Sequence, residues 1–401
     1  MNILFITVVD IESVSQRGVY TDLMREFRDR GENVYIVCPR ERYYGKPTEY
    51  IEDHGINILK VRTGNIQKTN PIEKGISTIL IQSQFINAIK KYFKDIHFDL
   101  VLYSTPPITF EKVVRFVKVR DECHTYLLLK DIFPQNAVDL GIIKKGSLLW
   151  RYFRNKEKQL YEISDFIGCM SKANVEYLLK HNPQVNPRKV EVSPNCIKPR
   201  PLPHINEPNK ELRYKYGIPD DAVVFIYGGN LGKPQGINFL LNVLDRIKDK
   251  EGIFFLIVGS GTEYSRIKTY LNQNKHKNVK LLNFLPKHNY DEILESSGVG
   301  LIFLDHRFTI PNFPSRLTSY MEAALPVAAA TDVNTDLKDV LIESGCGLWA
   351  ESRDVEGFIN IIERLASDKN LRIQMGLNGW AYLEKNYTVS KQYDIIMSHF
   401  K

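Results

Sequence analysis

Hydrophobic residues fall into two kinds of run along this chain, and the two alternate. The opening stretch, Asn2-Ile3-Leu4-Phe5-Ile6-Thr7-Val8-Val9, is apolar almost without a break, as a parallel strand buried on both faces requires. Tyr20 to Arg30 then reads as a helix that stops at Gly31, and Asn33–Cys38 is again a strand. Further strands are predicted at Ile56–Val61, Asp99–Tyr103, Thr125–Lys130 and Asp165–Met170. This alternation predicts βαβ units and a doubly wound parallel sheet of the α/β class.

The pattern breaks between Pro194 and Pro219, where Pro199, Pro201, Pro203 and Pro208 also sit among Asn, Lys and Glu. That composition reads as a linker. Beyond it strands are predicted at Ala222–Tyr227, Phe254–Val258, Val279–Asn283, Val299–Leu304 and Val327–Ala330, with a helix over Ile237–Ile247. A chain of 401 residues exceeds one ordinary core. Two Rossmann-like domains are expected, over 1–200 and 201–380, with 381–401 a C-terminal helix that packs back on the first.

Composition narrows the class. At 43% hydrophobic and 25% charged, the chain has an ordinary globular make-up. Its five cysteines and nine histidines form no CxxC, HxxxH or HExxH pattern, which predicts a reducing cytoplasm with neither a disulfide frame nor a zinc site. No apolar run approaches the roughly 18 residues that span a bilayer. A net charge of +7 points to an anionic partner. Nucleic acid, a membrane surface and a phosphorylated ligand all fit that charge, but no RNA-binding signature or dense arginine patch favours the first.

In open α/β sheets, ligands bind beyond the carboxyl ends of the strands. The first such loop of the second half is Tyr227-Gly228-Gly229-Asn230-Leu231-Gly232-Lys233-Pro234-Gln235-Gly236. Its glycines would let backbone N–H groups approach a phosphate, with a helix start and Lys233 adding positive charge. A tight strand-to-helix turn would use the same glycines. Val258-Gly259-Ser260-Gly261-Thr262-Glu263 is a GxG without a third glycine, for which a structural turn is the favoured reading taken alone. In NFPSRLTSYMEAALPV, Asn312 to Val327, the residues Leu317, Tyr320, Met321 and Ala324 form a helical stripe. Ser315 stands at the expected N-cap, Arg316 opens the first turn, and Pro326 should end the helix near Leu325. Two helix starts from one sheet, each with a cation, can converge on a diphosphate.

In order, GGNLGKPQG, FLIVGSGTEYSRIK, NVKLLNFLPKHNYDEILESSGVGLIFL and FPSRLTSYMEAALPVAAATD resemble the retaining, nucleotide-sugar-dependent glycosyltransferases of family 4. The nearest resemblance is to those that assemble bacterial capsule and O-antigen repeat units, with an N-acetyl-L-fucosaminyl transferase the first choice. Gly18, LLLKDIFPQNAVDLGII, SDFIGCMSKANVEYLL and VEVSPNCI carry it through the N-terminal half. It implies a GT-B fold, two Rossmann-like domains facing a central cleft. Lys233 and Arg316 would grip the donor diphosphate, helped by Gly229, Asn230, Gly232 and Ser315. Gly259, Gly261, Phe284, Leu285 and Pro286 would hold the base, and Gly18 would let the diphosphate approach the first domain. Asp131 would face the cleft and orient sugar or acceptor hydroxyls.

The family usually carries two glutamates near this helix, the second on the ribose. Here Pro311 and Ser319 stand in those places, and Gln235 replaces a second lysine. Glu322, one turn on, either substitutes in part or is an exposed helix glutamate. The resemblance implies a UDP-sugar donor, no metal and no further cofactor. Its implied acceptor is a polyprenyl-diphosphate-linked saccharide, handled by a cytoplasmic enzyme peripheral at the inner membrane face. The leaving phosphate would itself take the acceptor proton, so no side-chain base is required. Glu73–Lys94 and Leu148–Lys158 mix apolar, aromatic and basic residues; each suits either an anionic membrane surface or a packed helix with a solvated lysine face. Two other readings remain open: a nucleotide-sugar 2-epimerase of the same architecture, and a catalytically silent binding subunit.

Overall fold

The computed structural model describes residues 1–66, 69, 71–203 and 209–400, with the backbone alone at 71, 72 and 74. The chain forms two compact units, Met1–Lys198 with Val389–Lys401, and Pro199–Thr388.

Unit 1 holds strands β1 (Asn2–Ile6), β2 (Asn33–Glu41), β3 (Glu49–Asp53), β4 (Ile56–Thr63), β5 (Leu100–Ser104), β6 (His124–Leu129), β7 (Phe166–Cys169) and β8 (Val190–Val192). They lie in the order β3-β4-β2-β1-β5-β6-β7-β8, parallel except for the antiparallel β3–β4 pair. Unit 2 holds β9 (Val223–Asn230), β10 (Ile253–Ser260), β11 (Val279–Leu282), β12 (Val299–Phe303), β13 (Val327–Thr331) and β14 (Gly347–Glu351). Its order is β11-β10-β9-β12-β13-β14, parallel throughout. Both units share the Rossmann winding, with the order reversing beside β1 in one and β9 in the other.

The continuous apolar runs are the central strands, and they are buried as expected. Ile3, Leu4, Phe5 and Ile6 of β1 and Phe225, Ile226 and Tyr227 of β9 have no exposed surface. Against β9 pack Leu240, Val243 and Leu244 of the helix Ile237–Ile247, whose bounds match the prediction. The unpredicted strands, β3, β8 and β14, all lie at sheet edges, whereas the fourth edge strand, β11, was predicted. β3, EYIED, is polar and largely exposed, so it carries no buried-strand pattern.

Two boundaries differ from the expectation. Lys210–Tyr216, inside the predicted linker, is a helix: the Asn209 side chain accepts the Leu212 N–H at 3.1 Å, and Gly217 ends it at φ 65°. The proline cluster masked that short capped segment; residues 204–208, Pro208 included, lie outside the described ones. At the other end, residues 381–386 complete the helix Lys369–Asn386 of unit 2, where Leu383 is buried. The chain rejoins unit 1 only at the helix Val389–Met397, whose Tyr393 packs edge-on against Phe27 of the helix Val19–Asp29.

Candidate functional site

In unit 2, β9 pairs with β10 along its whole length but with β12 at only two positions, Phe225↔Val299 and Ile226↔Gly300. Beyond Ile226 the strands part. This is the point where the strand order reverses, the usual ligand position in open α/β sheets. Tyr320, from the helix Arg316–Glu322, occupies the parting. Its hydroxyl lies 2.9 Å from the Leu301 carbonyl and 3.2 Å from the Ile226 carbonyl, and accepts the Gly228 N–H at 3.4 Å. Gly228 must lack a side chain, because a β-carbon there would sit 1.9 Å from the Tyr290 hydroxyl of the helix Lys287–Glu295.

Arg316 is placed on this tyrosine framework. Its guanidinium lies over the Tyr227 ring, 4.3 Å from the centroid, and Nη2 donates to Gln235 Oε1 at 3.0 Å. The same oxygen accepts the Tyr227 hydroxyl at 3.2 Å. Nη1 is buried without a hydrogen-bond partner, and no carboxylate pairs with Arg316 among the described residues. Burial is the largest influence and works against the charge, but Tyr227, Tyr320 and Tyr290 together hold the guanidinium above its ordinary pKa. Lys233 opens the short turn Lys233–Gln235, so the turn that supplies Gln235 to Arg316 also carries the second cation. Lys233 is exposed, and its ammonium makes no ion pair among the described residues. The loop after β12 is tied to that turn by the Asp305 N–H, which donates to the Pro234 carbonyl at 2.9 Å.

The two glycine loops knit together through backbone. Leu231 N–H donates to the Ser260 carbonyl at 2.8 Å, and Glu263 N–H to the Leu231 carbonyl at 2.9 Å. A β-carbon on Gly259 would lie 1.9 Å from the Gly229 carbonyl oxygen. Packing alone therefore explains Gly259, and Asn230, Gly232 and Gly261 lie in the same knitted pair of loops. Phe284, Leu285 and Pro286 follow β11, with the Phe284 ring 72% exposed.

The opening helix differs from its expected form. It ends at Glu322, because Ala324 turns to φ 50° before Pro326 is reached. Ser315 occupies the N-cap position but has helical φ −65° and ψ −19° and makes no side-chain cap; the Thr318 hydroxyl donates to its carbonyl at 2.9 Å. With seven residues the helix offers little dipole, so the cationic character here is that of Arg316 itself. Ser319 is half-buried on the helix. Glu322 is not an exposed helix glutamate: it is 5% exposed, accepts the Arg200 N–H at 2.9 Å and pairs with the Arg200 guanidinium at 3.5 Å.

Unit 1 places Asp131 just after β6, again at the carboxyl edge. Both its oxygens lie 2.8 Å from Asn136 Nδ2. Burial raises its pKa to about 6, partly offset by the N–H of Ile132 and the amide of Asn136. Beside it Lys130 donates to the Ser193 carbonyl at 3.2 Å, and burial lowers its pKa to about 8. Gly18 precedes the helix Val19–Asp29, and its N–H is taken by Asp22 at 3.2 Å.

Residues 208–380 match the family model of glycosyl transferases group 1. Among curated proteins, the chain is 24% identical to the "Probable glycosyltransferase WbjE" of Pseudomonas aeruginosa, over 74% of this chain and 73% of that one. It is 29% identical to the capsular polysaccharide biosynthesis glycosyltransferase CapM of Staphylococcus aureus, over 45% and 46%. Among solved structures, Anabaena HepE in complex with UDP and glucose superposes with a TM-score of 0.69 at 15% identity, covering 100% of each chain. The fold is GT-B, built from two Rossmann-like units.

Tyr227, Tyr290 and Tyr320, the framework of the Arg316 site, were not among the sequence-predicted site residues. The helical stripe marked Tyr320 as buried, but nothing local distinguishes a packed tyrosine from one that bridges two strands.

Proposed function

We propose that this chain is a retaining glycosyltransferase that moves a sugar from a UDP-sugar to a lipid-linked glycan in bacterial polysaccharide synthesis. The observation that carries the reading is Arg316. A guanidinium held by a neutral glutamine and an aromatic ring, with no carboxylate on it and a buried N–H unpartnered among the described residues, is costly until an anion completes it. With Lys233 on the turn that supplies Gln235, the anion that fits is the diphosphate of a nucleotide sugar. The match to glycosyl transferases group 1 and the likeness to a structure holding UDP and glucose support that choice, as CapM supports a role in capsule synthesis. The matched family is one of transferases and lends no support to the epimerase alternative.

Breaking the sugar–phosphate bond leaves an oxocarbenium-like sugar and builds negative charge on the departing diphosphate. Arg316 and Lys233 meet that charge as it forms; one such preorganised donor is worth about 3 kcal/mol. The two side chains supply this without calling on a metal. The leaving phosphate oxygen takes the proton of the acceptor hydroxyl on the same face, and Asp131 orients that hydroxyl. N-acetyl-L-fucosamine is the first choice of donor sugar. Among the described residues no helix is long and apolar enough to cross a membrane. Leu148, 84% exposed, and Leu149, 53% exposed, open the helix Leu148–Ile163 beside Lys144, Lys145 and Arg151, a surface suited to anionic lipid.

Calorimetry with a panel of nucleotide sugars tests the reading. UDP-sugars should bind and the nucleotide-free sugars should not. Failure to bind any nucleoside diphosphate would overturn it, and interconversion of the free UDP-sugar without acceptor would restore the epimerase. Flotation with vesicles containing anionic phosphatidylglycerol should carry the protein upward; if nothing floats, the membrane contact is withdrawn.

A further inference from the structure

The chain leaves β6 as Lys130-Asp131 and turns into the short helix Gln135–Asp139. Thr105, which follows β5, pins the corner: its Oγ1 accepts the N–H of Lys130 at 2.9 Å and that of Asp131 at 3.1 Å. The Asp131 carboxylate is half-buried, with Asn136 Nδ2 at 2.8 Å from each oxygen. That contact leaves Asn136 Oδ1 buried and without a hydrogen-bond partner among the described residues. Turning the amide over would set this oxygen against the carboxylate, so the unsatisfied acceptor follows from holding Asp131. Local rules of packing are broken in this way where a group must be kept in one geometry.

We propose that Asn136 is the positioning residue for Asp131, its amide fixing the carboxylate so that the remaining lone pairs accept the hydroxyl of the acceptor sugar. The inference rests on the reading of Asp131 as the hydroxyl-orienting group. Among the described residues of unit 1, few groups face Asp131. The Ile132 N–H and the Asn136 amide donate to it, Thr105 holds its backbone, and the neighbouring Lys130 turns its ammonium to the Ser193 carbonyl. Gln135, from the same short helix as Asn136, is bonded to Asp139 at 2.7 Å. Burial pushes the carboxyl up and the two donors pull it partway back, leaving it at about 6, so loss of the amide must move its titration upward.

The test uses the full chain labelled with ¹³C-aspartate, its carboxyl signals titrated by NMR and Asp131 assigned with D131N. The Asp131 midpoint should rise by about one pH unit in Asn136→Leu and return toward wild type in Asn136→Gln. If Asn136→Leu does not fold, Asn136→Ser is titrated in its place with the same expected direction. An unmoved midpoint overturns the proposal. In parallel, UDP release from UDP-N-acetyl-L-fucosamine is followed against pH with a polyprenyl-diphosphate monosaccharide as acceptor. The acidic limb should move with the NMR midpoint. Full turnover in Asp131→Asn would instead sink the parent reading of Asp131, whatever Asn136 does; a dead Asp131→Asn with an unshifted Asn136→Leu limb sinks this inference alone.

Discussion

The two sheets share the Rossmann winding, yet the half-buried charged group at the carboxyl edge is a cation in one and a carboxylate in the other. In unit 2, Arg316 sits half-buried on Tyr227 with no counter-ion among the described residues, and Lys233 stands free on the adjoining turn. In unit 1, Asp131 sits half-buried with an amide instead of a cation, raised to about 6. The winding of the strands does not decide which sign is exposed; the residues after each strand do. A cationic edge suits a leaving diphosphate, and a carboxylate edge suits a hydroxyl that must be oriented. One scaffold used twice thus presents two kinds of charged group.

Removing the cations breaks this contrast most directly. Arg316→Ala should lower turnover by about 10²–10³-fold, the usual loss for one preorganised donor. Lys233→Ala should also cost most of the turnover but less than Arg316, since an exposed charge is screened more strongly. Circular dichroism of both variants should match wild type. Near-normal turnover in either removes that residue from the diphosphate site.

The next effect concerns the framework beneath the cation. Tyr320→Phe removes a hydroxyl that serves the Leu301 and Ile226 carbonyls and the Gly228 N–H. Leaving those buried groups short of a partner should cost about 1–3 kcal/mol of stability in urea unfolding. Because the parting of β9 and β12 would loosen, UDP affinity should fall with it. Unchanged stability would mean that the strands are held without the tyrosine.

How much of this was legible in the sequence follows from the range of the interactions involved. Central strands such as Asn2–Ile6 and the helix Ile237–Ile247 are written locally, as continuous apolar runs or helical periodicity, and they were readable. The placement of Lys233 and Arg316 at one edge was readable because loops after parallel strands share one edge. The Tyr320–Gly228 contact joins residues 92 positions apart, and no window of sequence contains it. The exposed reading of Glu322, one of the two left open, fails for the same reason, since its partner Arg200 lies 122 positions away. The Ser315 cap looked sound by residue type, but capping needs an extended backbone at that residue, and its ψ of −19° is helical. The edge strand Glu49–Asp53 was missed because it buries too little to show a pattern.

The smallest expected effect makes the cationic edge more like its counterpart. Ser319 stands where the resembling family places a ribose-binding glutamate, and Glu322, engaged by Arg200, is not poised to replace it. Ser319→Glu should therefore lower the KM for the UDP-sugar a few-fold with little change in kcat, the signature of binding gained equally in ground and transition states. One charged hydrogen bond to a ribose hydroxyl is worth about 1.5 kcal/mol or somewhat less when partly solvated. The competing outcome has a distinct cause. Position 319 is three residues after Arg316, the spacing at which helical side chains meet, so a carboxylate there can pair with the guanidinium and displace the diphosphate. A raised KM that recovers in high salt would show that pairing, and would place the ribose away from this helix.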